Sequence, residues 1–114
     1  MSVTIWHNPR CTKSRQTLAL LQARGIEPDV RLYLQDAPSE AELRLALEHL
    51  GRSAAELIRT GEAEYREAGL GKDSNDADLL TAMVQFPKLI ERPVVFAGGR
   101  AAIGRPPEAV LDLF

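Results

Sequence analysis

The chain has 114 residues, 45% of them hydrophobic and 26% charged, with a net charge of −2. That length suits one domain with a core that needs no staples, and the charge balance excludes general nucleic-acid or membrane-surface binding. One cysteine, Cys11, excludes an internal disulfide and a metal site built from several thiolates, and the only histidines, His7 and His49, match no metal-ligand spacing.

No charged-then-apolar leader opens the chain, and no apolar run approaches the ~20 residues of a membrane span. A cytoplasmic location and a monomer are expected. Val3, Ile5 and Trp6 suit a first strand, and Asn8-Pro9 marks a turn. A helix is predicted from about Thr12 to Arg24, stopped by Gly25, with Thr12 or Ser14 as its cap. Residues 29–34 alternate, so a second strand should point Val30, Leu32 and Leu34 one way and Arg31 and Tyr33 the other. Strand, helix, strand with short links makes the first two strands parallel.

A capping-box pattern at Ser39-Glu40-Ala41-Glu42 opens a helix with Leu43, Ala46, Leu47 and Leu50 on one side, stopped by Gly51. A short helix follows over 54–59. Residues 62–75 read as a helical turn and a loop anchored by Tyr65 and Leu70. Asn75 or Asp76 caps a helix through Phe86, with Leu79, Leu80, Met83 and Val84 inward. Residues 93–96 and 100–103 form a hairpin about Gly98-Gly99, and Pro106-Pro107 begins a last helix that buries Val110, Leu113 and Phe114. The class is α/β: a mixed four-stranded sheet covered by helices, with a helical insertion between strands 2 and 3. The insertion is read as part of one domain spanning 1–114, too small for a core of its own.

Cys11 falls between a strand and the start of a helix. Unpaired N–H groups and the helix dipole favour an anion there, and Arg10, Lys13 and Arg15 add positive charge. Such surroundings lower a thiol pKa and make the thiolate the working species. The alternative is a small buried hydrophobe. If Cys11 is a nucleophile, its redox cycle needs a thiol from another molecule. His7 is a candidate imidazolium partner of the thiolate or a loop histidine bonded to backbone. Ser14 either hydrogen-bonds the sulfur or caps the helix. Arg59, Arg92 and Arg105 stand at element ends, and guanidinium groups gathered at a thiolate would grip a tetrahedral oxyanion. A phosphatase loop, Cys-x-x-x-x-x-Arg, is absent, because Thr17 occupies the arginine position. A dithiol Cys-x-x-Cys is absent too, with Ser14 at its second cysteine.

The stretch HNPRCTKSRQTL at 7–18, RT at 59–60, ERPVV at 91–95 and GRP at 104–106 together resemble the ArsC-type arsenate reductases of the ArsC/Spx superfamily. The resemblance implies a thioredoxin-like fold and a cis Arg92–Pro93 bond. It further implies Cys11 as nucleophile, His7 and Ser14 as its thiolate-stabilising neighbours, and Arg59, Arg92 and Arg105 as the oxyanion clamp. It implies reduction of arsenate or a similar oxyanion through a thiol-arsenate adduct, with glutathione as co-substrate, glutaredoxin as partner and no bound cofactor. An Spx-like regulator that binds RNA polymerase is the alternative, though most of these carry Cys-x-x-Cys. A thiol oxidoreductase with another substrate is a further one.

Overall fold

The computed structural model describes residues 2–114. Four strands, β1 (Val3–Trp6), β2 (Asp29–Arg31), β3 (Val94–Ala97) and β4 (Arg100–Ile103), form one sheet in the order β2-β1-β3-β4. β1 is parallel to β2 and antiparallel to β3, and β3 is antiparallel to β4. The mixed four-stranded sheet is therefore as the sequence predicts. The β3–β4 turn places Gly98 and Gly99 at φ +58° and +78°, which a side chain would resist.

Helix α1 (Thr12–Ala23) follows β1, and the 3-10 segment Pro107–Leu113 ends the fold. α1 packs against that segment, which also packs against β4. Ile5, Leu21, Val95, Ala97, Val110 and Leu113 are buried in one cluster, with Val3, Leu18, Ile26 and Ala102 against it. Ile5 opposes Val95 across the β1–β3 ladder, so one face of each strand feeds this core. Trp6 points to the other face, with its ring centroid 4.8 Å from that of Phe96 and the Arg31 guanidinium 5.8 Å from it.

The described residues fall into two compact units, one reaching to Asp36 and resuming over Arg92–Phe114, the other Ala37–Glu91. The second unit holds α2 (Glu40–Leu50), α3 (Ala54–Leu57), α4 (Ala63–Glu67) and α5 (Asp76–Gln85), followed by a 3-10 turn at Pro87–Leu89. α2 and α3 pack on α5. Both capping boxes form: Ser39 with Glu42, and Ser53 with Glu56. The Asn75 side chain caps α5 by accepting from the Asp78 N–H. Among the described residues, no helix is long and apolar enough to cross a membrane.

Several expectations need correction. β2 stops at Arg31 because the Leu32 carbonyl accepts the N–H groups of Gln35 and Asp36 and the chain turns. Tyr33 is then fully buried, while Val30 and Leu34, on the other side of the alternation, are nearly half exposed. β2 is an edge strand, and alternation identifies a strand's two faces without saying which is covered. Val84 and Phe114 are exposed rather than buried. The final helix is a 3-10 segment.

Candidate active site

The loop between β1 and α1 is fixed by short-range hydrogen bonds that its sequence supplies. The Cys11 N–H donates to the Asn8 carbonyl at 3.0 Å, closing the turn at Asn8-Pro9. The Asn8 side chain accepts the Arg10 N–H at 3.0 Å. Cys11 is itself the residue before the helix, with extended φ and ψ of −94° and 123° and no side-chain cap, so neither Thr12 nor Ser14 caps α1. The Arg15 guanidinium braces the loop from the first turn of α1, donating to the Pro9 carbonyl at 2.8 Å and to the Thr12 hydroxyl at 3.2 Å.

Ser14 is fully buried. Its hydroxyl accepts the Asn8 N–H at 3.0 Å and lies 2.6 Å from His7 Nδ1. These bonds tie the end of β1 to the start of α1. His7 is also buried, and burial first, then the positive Arg15, lowers its pKa. Both effects disfavour the charged ring, and the ring is engaged with the Ser14 hydroxyl.

Cys11 is partly exposed. Burial raises the thiol pKa, but hydrogen bonds from the Ser14 N–H, the Arg92 guanidinium and the Lys13 N–H outweigh it, and the net pKa lies below the usual thiol value. The two backbone donors belong to the first turn of α1, where N–H groups have no helical acceptor. Arg105 Nη2 approaches Sγ at 3.5 Å, while its Nε donates to the Arg92 carbonyl at 2.8 Å. Arg92 and Arg105 thus meet at the sulfur although they flank the β3–β4 hairpin. Arg92–Pro93 is cis, as the resemblance implies, and Arg105–Pro106 is cis as well.

Gly104 was not singled out as a site residue, although it lies in the GRP motif. Its N–H donates to the Pro93 carbonyl at 2.9 Å. A Cβ built there would lie 2.5 Å from Thr17 Oγ1 and 2.7 Å from Pro93 Cγ. Only glycine lets the segment that delivers Arg105 approach α1 and Pro93 so closely. Arg59, the third predicted clamp residue, lies in the second unit. There its guanidinium faces Glu62 at 3.4 Å and Glu91 at 3.2 Å, and its N–H donates to the Leu89 carbonyl.

A thioredoxin-like protein built around one activated thiol is the class that this fold and these contacts define. A model of the ArsC family matches residues 6–113, and the chain belongs to that family. It is 52% identical over 113 residues to the uncharacterized protein YfgD of Escherichia coli (strain K12), covering 97% of this chain and 95% of that protein. It is 45% identical over 115 residues to an arsenate reductase of Haemophilus influenzae, covering 99% of each. A solved structure of an arsenate reductase from Vibrio cholerae superposes with a TM-score of 0.95 at 46% identity, covering 100% of this chain and 98% of that one.

Proposed function

We infer that the chain reduces arsenate to arsenite, with Cys11 as nucleophile and thiols from other molecules as the source of electrons. One observation carries this reading: two guanidinium groups and two helix N–H donors converge on a partly exposed sulfur. The family and the arsenate reductases it resembles over their full length support the same reading.

In the reaction the Cys11 thiolate attacks arsenic, an As–O bond breaks, and the oxygen leaves as water after taking a proton. Arg92 and Arg105 offset the negative charge that would keep an anionic nucleophile from an anionic substrate. Glutathione thiolate then attacks the Cys11 sulfur, forming a disulfide. The S–As bond breaks with its electron pair going to arsenic, which passes from As(V) to As(III) and leaves as arsenite. Glutaredoxin attacks the glutathione sulfur and returns Cys11 as a thiolate. For Arg59 to join in oxyanion binding, its guanidinium must exchange Glu62 and Glu91 for substrate.

The direct test couples glutathione oxidation to NADPH consumption through glutathione reductase, with glutaredoxin present and arsenate varied. Turnover should depend on arsenate in the wild type and vanish in Cys11→Ser. Equal rates in the two proteins would remove the enzymatic reading.

A further inference from the structure

β2 has β1 on one side, and among the described residues no strand lies on the other. The His7 N–H donates to the Arg31 carbonyl at 2.9 Å, so the backbone groups of Arg31 face β1. Directions alternate along a strand, and the N–H and carbonyl of Val30 therefore point to the open edge. The Val30 side chain, 47% exposed, lies on the same face of the sheet as Ile5, its neighbour in β1. Asp29 and Arg31 project to the opposite face, Asp29 exposed and Arg31 partly so.

A short edge, a proline and charged side chains keep an edge strand from pairing with an arbitrary partner. Here the same features suit one partner, a second copy of β2 running antiparallel about a two-fold axis at Val30. In that register the two Val30 residues exchange both backbone bonds. One step further out, the Leu32 N–H meets the Pro28 carbonyl of the other copy. The reciprocal bond is not needed there. Pro28 has no N–H, and the Leu32 carbonyl already accepts the Gln35 and Asp36 N–H groups at 2.9 Å each. Between these pairs Asp29 stands opposite Arg31 of the other copy, twice by symmetry. Sliding the copies by two residues would oppose Asp29 to Asp29, or Arg31 to Arg31, and would set Val30 against Pro28 or Leu32, where a donor or an acceptor is missing. Charge and backbone groups thus select the same register. Arg31 Nε holds Asp36 Oδ2 at 3.3 Å, and a guanidinium fork can bridge that carboxylate and a second one.

We propose that the β2 edge is a self-association surface, through which two copies of the chain join antiparallel at Val30 into one continuous sheet. The pairing involves neither Cys11 nor arsenate and stands apart from the proposed reaction. Stable interfaces bury at least about 1,200 Å². An edge of three residues offers less, so the dimer is a weak one that forms as concentration rises.

Sedimentation equilibrium of the full chain, loaded from about 10 μM to about 1 mM, tests this. The average mass should climb from the monomer value toward twice that value. Asp29→Lys and Arg31→Glu each oppose like charges twice and should weaken association by about tenfold. An equimolar mixture of the two variants opposes unlike charges again and should recover it. Because Arg31 also lies against Trp6, a second readout uses the wild type alone: exchange of the Val30 amide hydrogen should slow as concentration rises. A chain that stays monomeric at about 1 mM overturns the proposal and leaves a strand of another protein as the occupant of this edge. Association that neither variant weakens, or that leaves Val30 exchange unchanged, overturns it as well, by placing the contact on another surface.

Discussion

At Cys11 the balance of forces is visible group by group. Burial alone would keep the thiol protonated, and the N–H groups of Ser14 and Lys13 together with Arg92 reverse that. Arg92→Ala removes a charge-assisted contact while leaving the helix N–H groups in place. Its thiol pKa should rise, seen as an upward shift in the pH midpoint of iodoacetamide alkylation. An unmoved midpoint would mean that the α1 donors hold the thiolate unaided. This much of the site was legible, because cysteine before a helix start has a stated physical consequence. The role of His7 was not. Its sequence position does not reveal the burial that disfavours the charged ring or the contact with Ser14.

Among the elements, the Ser39 capping box and the cap at Asn75, one of the two candidates, follow from local side-chain chemistry and appear where the sequence puts them. That Tyr33 is buried and Val30 exposed was not legible, because coverage of a strand face depends on residues distant in sequence. Gly104 was passed over for a related reason. Its significance lies in the closeness of α1 and Pro93, which no local pattern encodes. Thr17 is pinned there by its hydrogen bond to the Lys13 carbonyl at 2.8 Å, and the proline ring is rigid, so little can yield. Gly104→Ala should therefore cost about 1–3 kcal/mol, as overpacking in a filled interior does. Urea unfolding measures the loss, and a variant as stable as the wild type would show that the segment can shift. Because Arg105 follows directly, the same variant should also slow alkylation of Cys11.

For the molecule as a whole, the first unit is assembled from both ends of the chain, with residues 37–91 intervening. Cys11 comes from one end, and Arg92 and Arg105 come from the other. Their meeting was expected only through the resemblance of whole motifs, since no short stretch contains it. The buried link between β1 and α1 gives global stability a pH dependence whose sign can be worked out. His7 has a folded pKa below its ordinary 6.5, so between those two values the unfolded chain binds more protons. Its contribution is full above about pH 6.5 and is lost as the pH falls through the folded value. Glu56, whose pKa is lowered by its Ser53 contacts and by Arg52, acts only nearer or below the ordinary carboxylate value of 4.5. Cys11, whose pKa is also lowered, acts in the same direction in both proteins, so the difference between wild type and His7→Gln in urea unfolding at about pH 7.5 and about pH 5.5 isolates the histidine. The wild type should lose stability over that interval, and His7→Gln, which has no proton to gain there, should lose less. Equal losses in the two proteins would show that burial and Arg15 do not lower the His7 pKa in the folded chain.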